Sequence, residues 1–184
     1  MAKAQPDRWP WEAYPSGACA GLFAAVSFYW AVGGTTGLRG VGGFAERMAH
    51  SGGAGAAAVI WATVAIKVAG AVLSLALVRP WGAALPRRWR AGVAGAGSVV
   101  LIIYGGFLVT GEALVELGVV TPSTPVDWTA LRWHLALWDP WFLVWGLLLG
   151  TATWRFRRRP DEIDRTVRPS GGGHRWMASR APGR

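Results

Sequence analysis

AGAAAVIWATVAIKVAGAVLSLALV, residues 54 to 78, is a continuous apolar stretch whose single charged side chain is Lys67. At about 1.5 Å per residue, a helix of this length can cross the roughly 30 Å hydrocarbon core of a bilayer. The next segment, RPWGAALPRRWR, brings four arginines into residues 79 to 90. Because basic flanks stay on the cytoplasmic side, the pattern predicts a transmembrane helix that ends facing the cytoplasm.

The composition of the whole chain agrees with this interpretation. Hydrophobic residues make up 52% of the 184 residues and charged residues 16%, and the mean hydropathy is +0.28, so the chain is more apolar than a typical soluble domain. The net charge of +9 is a feature that nucleic-acid-binding proteins share. However, the basic residues flank apolar segments, which favours an integral membrane protein without nucleic-acid binding.

Three further apolar segments are long enough to cross a bilayer. The sequence therefore predicts an all-α fold, a polytopic membrane bundle of four transmembrane helices between two tails. The predicted spans are residues 17–34, 54–78, 91–117 and 133–154 within a domain 17–158, with an N-terminal tail 1–16 carrying interfacial aromatics and a basic, disordered tail 159–184.

The loops predict the orientation of the bundle. The loop around residues 79–90 and the segment after Trp154 are rich in arginine, whereas the loop 118–127 carries Asp127 and no basic residue. Both termini are therefore expected in the cytoplasm, in a multi-pass protein of the bacterial cell (inner) membrane, with a short surface helix at 44–50. Anionic lipid head groups are the expected partners of the arginines.

Cysteine and histidine usage gives no sign of a metal or cofactor. Cys19 is the only cysteine, and His50, His134 and His174 lie far apart without ligand spacing. We therefore predict no metal and no cofactor. His134 is expected to be an interfacial or stacked histidine, with a ligand or a base as the less favoured alternatives, and serves as a secondary site candidate.

Small and polar residues mark one face of each span, as expected where helices pack together in lipid. These residues include Thr63, Lys67, Gly70 and Ser74 in the second span, Ser98, Gly105, Glu112 and Glu116 in the third, and Asp139, Gly146 and Gly150 in the fourth. A tryptophan stripe of Trp138, Trp141 and Trp145 shares a different face of the fourth span with His134 and is expected to be lipid-facing or packing surface.

Lys67 starts near the middle of the membrane, and Asp139 lies about two turns below the outer end of the last span. An unpaired charge in lipid is costly, so we hypothesise a Lys67–Asp139 pair that is either functional or purely architectural. The candidate polar site in the outer half consists of Tyr29, Trp30, Lys67, Glu112 and Asp139.

Asp139 and Pro140 allow a second interpretation. Asp followed by Pro is a common way to start a helix, with the carboxylate as N-cap. A helix starting there would have only about 15 residues before the arginines, which is short for a span. The favoured prediction is a longer helix that is kinked at Pro140.

Three segments resemble one family of small bacterial membrane proteins. They are FYWAVGGTTGL (Phe28 to Leu38), GGFLVTGEALVELGV (Gly105 to Val119) and LWDPWFLVWGLLLG (Leu137 to Gly150). The family is known as domain of unknown function thirty-nine ninety-five, and its members have a Tyr-Trp-Ala-x-Gly-Gly ending in the first helix and an Asp closely followed by Pro in the last. The resemblance covers roughly residues 17 to 154. It implies the membrane fold and leaves the activity open.

The sequence contains no complete catalytic motif, so three function classes remain. A non-catalytic scaffold or accessory subunit, acting as a homo-oligomer or with a membrane partner protein, needs only the small-residue faces and the basic tail, and we favour it. A small enzyme acting on a lipid or isoprenoid would use Asp139 or Glu112 as acid or base. A subunit of a proton- or substrate-coupled transporter would use Lys67 and Asp139 as titrating groups.

Overall fold

A computed structural model of the chain describes residues 11, 13–42, 47 and 53–158. These residues form helices and connecting turns, and no strand occurs among them. The predicted all-helical bundle is therefore confirmed. Most of the predicted N-terminal tail, the predicted surface helix 44–50 apart from Arg47, and the predicted tail 159–184 lie outside the described residues.

Four long helices form the bundle. Helix α1 spans Ala13–Ala31, α2 spans Ala54–Ala76 and α3 spans Arg87–Glu116. Helix α4 is continuous over Trp128–Arg158 and contains a π-helical segment at His134–Trp138. Two 3-10 turns, Leu38–Val41 and Pro80–Ala84, lie in the connections.

The helices pack in two pairs, α1 with α2 and α3 with α4, and α1 joins the pairs by contacting α4. Polar side chains connect each pair: the buried hydroxyls of Ser16 and Ser74 lie 2.9 Å apart, and Ser98 donates to the carbonyl of Gly146 at 2.8 Å. At Gly105 the backbones approach so closely that a Cβ would lie 2.7 Å from the amide nitrogen of Leu143. Small residues permit this approach, as expected for helices packed in lipid.

Most of the predicted packing faces point into the bundle. Ser74, Ser98 and Gly105 are buried there, and Gly150 lies against the hydroxyl of Ser98. Thr63 is the exception, because its side chain is exposed and donates to the carbonyl of Ile60 in its own helix. Its predicted place on the inner face of α2 is wrong. Within one helix, a threonine satisfies its hydroxyl without any partner helix.

One end of the bundle, which we call the basic end, collects arginines from two separate segments. Arg87 at the start of α3 donates to the carbonyl of Phe156 at 2.6 Å, and Arg157 donates to the carbonyl of Ala91 at 2.9 Å. Arg90 reaches the carbonyl of Ala76 at 3.0 Å. The carbonyls of Phe156 and Ala76 lie at the C-terminal ends of α4 and α2, where positive charge is favoured by the helix dipole. The carbonyl of Ala91 lies near the start of α3, so Arg157 ties the end of α4 to the start of α3.

The opposite end, which we call the acidic end, contains Glu112, Glu116 and Asp127. Glu116 pairs with Arg132 at 3.1 Å, and Asp127 accepts hydrogen bonds from the amides of Thr129 and Ala130. Asp127 is therefore the N-cap of α4. The alternative in which Asp139 starts the last helix is wrong, and the predicted longer helix is confirmed.

Three helices of the described chain, α2, α3 and α4, are long and apolar enough to cross a membrane. The 19-residue α1 is not among them. The bundle is thus compatible with a membrane protein, while a count of four spans stays a prediction.

Candidate functional site

The motif after the first helix forms a compact turn at the acidic end. The amide of Gly34 donates to the carbonyl of Tyr29 at 2.9 Å, and the amide of Gly33 donates to that of Trp30 at 3.1 Å. Gly33 has a φ of 98°, which a side chain would oppose. These two bonds and the positive φ are a Schellman end to the helix, so the Tyr-Trp-Ala-x-Gly-Gly pattern encodes a helix stop.

Tyr29 and Trp30 both hold the residues that follow this stop. The Tyr29 hydroxyl donates to the Oγ1 atom of Thr36 at 3.0 Å, and its ring covers Gly34. The Trp30 indole donates to the carbonyl of Thr36 at 2.9 Å. Tyr29 is nearly half exposed, and its hydroxyl bonds to Thr36. The contacts of Tyr29 are with Thr36 and Gly34, so they hold the turn after α1. Its predicted role in a polar site shared with Asp139 stays a prediction.

The 3-10 turn Leu38–Val41 lies against the first part of α4. The Trp138 indole donates to the carbonyl of Gly40 at 2.9 Å, and Trp30 packs edge-on against Trp138 at 5.3 Å between ring centroids. Trp138 is buried and so is Trp145. The tryptophan stripe of α4 is therefore packing surface within the bundle.

His134, Asp139 and Glu112 meet beneath this turn. The Nδ1 atom of His134 lies 3.1 Å from Oδ2 of Asp139 and 3.7 Å from Oε1 of Glu112. The Nε2 atom lies 3.2 Å from the carbonyl oxygen of Val41. Asp139 is 1% exposed, so this carboxylate is removed from solvent. We call these three side chains the carboxylate–imidazole cluster.

The contacts fix the hydrogen on the imidazole. A carbonyl oxygen only accepts, so Nε2 of His134 carries a hydrogen and donates to Val41. The Nδ1 atom then faces two carboxylates, and a bare nitrogen lone pair would be repelled by both. An attractive arrangement requires a proton or another cation between Nδ1, Asp139 and Glu112.

The π-helical segment creates this cluster. The amide of Asp139 donates to the carbonyl of His134, five residues earlier. In a regular α-helix, residues five apart point about 140° away from each other, whereas a wider π turn brings them to the same side. The segment ends two residues before Pro140, which cannot donate to the carbonyl of Ala136 and whose ring crowds it.

Lys67 does not pair with Asp139 in the structure. Its ammonium donates to the hydroxyl of Ser27 at 2.5 Å and lies 3.7 Å from the centroid of the Phe23 ring. Asp139 instead contacts His134. The hypothesised direct pair is wrong because α2 packs mainly on α1, so the nearest partners of Lys67 come from α1.

The structure thus joins Glu112 and Asp139 of the predicted site with His134, the secondary candidate. Two partners were not among the predicted site residues: Ser27, which accepts from Lys67, and the Val41 carbonyl, which accepts from His134. Periodicity at about 100° per residue placed His134 and Asp139 on different faces. The only sequence signal for their meeting was Pro140, since a proline inside a long helix marks an irregular turn just before it.

The fold and the cluster define a class of protein: an all-helical bundle whose apolar helices are compatible with a membrane protein, with a group of polar side chains around the buried Asp139 at one end. Within this class, the chain belongs to the family described as Protein of unknown function (DUF3995), which matches residues 20–149. The resemblance seen in the sequence is confirmed. No curated protein and no solved structure matches the chain.

Proposed function

We propose that the protein is a four-span integral membrane protein of the bacterial cell membrane and acts without catalysis, as an accessory subunit or scaffold. The observation that carries the proposal is how the polar side chains at mid-bundle and at the acidic end are used. Trp138 bonds to the turn at Gly40, Trp141 donates to the carbonyl of Cys19 at 3.1 Å, and Lys67 bonds to Ser27. These contacts connect different parts of the chain, as bracing does.

The exposed surface of α2 supports assembly with another transmembrane helix. Ala58, Ala62, Ala65 and Ala69 recur at intervals of four, three and four residues, and all are exposed. In the apolar part of each long helix, 6% of α2 is buried compared with 17% of α3 and 33% of α4. Small residues on a lipid-facing stripe let a second helix approach closely. We call these four alanines the alanine stripe.

The position of the arginines supports the cytoplasmic location of both termini. The start of α3 and the end of α4 meet at the basic end, so the two arginine-rich segments lie on one side of the bundle. Arg88 and Arg158 are exposed there and are positioned for anionic lipid head groups. A reporter fused after Val120 is expected to read as periplasmic. A cytoplasmic reading would overturn the topology.

The assembly test compares two exposed positions. Ala62→Trp is placed on the alanine stripe, and Ile103→Trp on the exposed side of α3 is the matched control. We expect the wild-type protein, extracted from native membranes in lipid nanodiscs, to have a mass above that of one chain, with the excess lost only in Ala62→Trp. A multiple of the chain mass identifies a second copy, and any other mass identifies a partner protein. A single-chain mass for the wild type would contradict the proposal.

A second candidate, a subunit of a proton-coupled transporter, is favoured by one observation. The carboxylate–imidazole cluster requires a proton or cation at a site where Asp139 is buried. Such groups inside membranes commonly serve proton relays. Proteoliposomes that take up protons only when His134 is intact would favour this candidate over a scaffold.

A further inference from the structure

We propose that the carboxylate–imidazole cluster binds a divalent transition-metal ion through Glu112, His134 and Asp139. The donor atoms of these three side chains all lie within 4.8 Å of one another. Glu112 comes from α3, whereas His134 and Asp139 come from α4. The site is distinct from the alanine stripe, so this inference goes beyond the scaffold role proposed above.

The distances suit a shared ion. Metal–nitrogen and metal–oxygen bonds of about 2.1 Å in tetrahedral geometry place neighbouring donor atoms about 3.4 Å apart. The observed separations from Nδ1 of His134, 3.1 Å to Asp139 and 3.7 Å to Glu112, lie on either side of that value. The imidazole therefore already stands at ligand spacing from both carboxylates, and the two carboxylates lie within 4.8 Å of each other.

The surroundings of His134 are those of a metal ligand. Histidines that bind a metal through one nitrogen usually donate the other N–H to a backbone carbonyl or a carboxylate, which fixes the ring. Nε2 of His134 meets the Val41 carbonyl in this way and leaves Nδ1 directed at the two carboxylates. In addition, the Oε2 atom of Glu112 is buried and has no hydrogen-bond partner in the described part of the chain.

Charge balance gives an independent argument. Two carboxylates this close in a membrane bundle repel each other unless a positive group lies between them. Lys67 contacts Ser27 and Phe23, and Arg132 pairs with Glu116. Among the described side chains, His134 is the basic group that the structure places beside them. A divalent ion with a neutral imidazole cancels both negative charges.

The donor set indicates the class of ion. One imidazole nitrogen and two carboxylate oxygens suit Zn²⁺, Mn²⁺ or Fe²⁺, whereas Ca²⁺ prefers six or more oxygen ligands. Three protein ligands leave at least one position open for water or another small ligand. Asp139 and Glu112 would supply the charge, and His134 would supply selectivity for first-row transition metals over Mg²⁺.

The test uses the full chain without a histidine tag, purified in detergent and stripped with a chelator. His50→Gln and His174→Gln remove the other two imidazoles from the background. Co²⁺ is the probe, because its visible absorption reports coordination by nitrogen and oxygen. We expect about one Co²⁺ per chain, displaced by Zn²⁺.

Glu112→Gln and Glu116→Gln form a matched pair, since both remove one carboxylate from the same face of α3 one turn apart. Glu112→Gln is expected to weaken Co²⁺ binding at least about tenfold, and Glu116→Gln to leave it unchanged. His134→Gln and Asp139→Asn should abolish the absorption band. If Asp139→Asn fails to fold, the half-buried Glu112 still gives the answer.

Two results would overturn the metal site: a wild-type protein that takes up no Co²⁺, or equal weakening by both glutamate substitutions. The first result would mean that a proton alone balances the cluster. Neither result bears on the mass measured for Ala62→Trp, so failure of the metal site and failure of the scaffold proposal are distinguishable.

Discussion

The two ends of the bundle use charge in opposite ways. At the basic end, Arg87 at the start of α3 donates to the carbonyl of Phe156 near the end of α4, and Arg157 donates to the carbonyl of Ala91 near the start of α3. At the acidic end, Asp139 is buried inside a helix and is balanced by other side chains. Arg157 is exposed and Arg87 is half-buried, whereas Asp139 is removed from solvent and depends on its neighbours. Substitutions at the two ends should therefore differ in cost.

The largest effect is expected at Asp139. Asp139→Ala removes a buried carboxylate and leaves His134 without its nearest partner, so we expect a loss of about 3 kcal/mol in the free energy of unfolding. Asp127→Ala at the same end removes an exposed N-cap and should cost about 1 kcal/mol. Unfolding in mixed micelles, followed by tryptophan fluorescence, measures both. Equal decreases in the free energy of unfolding would contradict the claim that the buried Asp139 contributes more than the exposed Asp127.

The fold of this chain is far more predictable from its sequence than the carboxylate–imidazole cluster. Long apolar runs and small residues such as Ser98 and Gly105 carry the packing information directly, because helices in lipid pack through small residues. The cluster depends on a change of helix type at His134–Trp138, which shifts side chains away from the faces that a regular helix predicts. The packing of α1 against α2 joins segments that are distant in the sequence, and the local pattern does not encode it. Without that packing, Asp139 is the acidic group that the sequence offers to Lys67.

The next effect concerns the close contact of α3 with α4 in the acidic half. Gly105→Ala places a methyl group against the amide of Leu143, and moving the helices apart should cost about 2 kcal/mol. Gly106→Ala is the matched control, since no atom lies within 4 Å of a Cβ at that position. It should be neutral or slightly stabilising because alanine favours helix. Thermal unfolding of both variants in the same detergent measures the difference. An unchanged unfolding temperature for Gly105→Ala would show that the two helices are not in close contact there.

A smaller effect is expected at the basic end. Arg87→Gln loses one charged hydrogen bond, to the carbonyl of Phe156, so we expect a loss of about 1 kcal/mol. Arg88→Gln changes an exposed arginine next to it and should have no measurable effect. The same unfolding assay applies. If Arg87→Gln lowered the free energy of unfolding as much as Asp139→Ala, the basic end would also have to exclude solvent.

The smallest effect is expected at Lys67. Its ammonium contacts a neutral hydroxyl and an aromatic ring, so Lys67→Met gives up one hydrogen bond and one cation–π contact while ending the cost of a charge inside the bundle. We expect a change within about 0.5 kcal/mol in either direction.

Combining Lys67→Met with Asp139→Ala in a double-mutant cycle tests the connection between the two charges. Because Lys67 contacts α1 and Asp139 contacts His134, the two changes should add within about 0.5 kcal/mol. A coupling of several times that size would restore the direct Lys67–Asp139 pair. Additivity would instead leave the carboxylate–imidazole cluster to be balanced at the acidic end itself, by a proton or by the metal ion proposed for it.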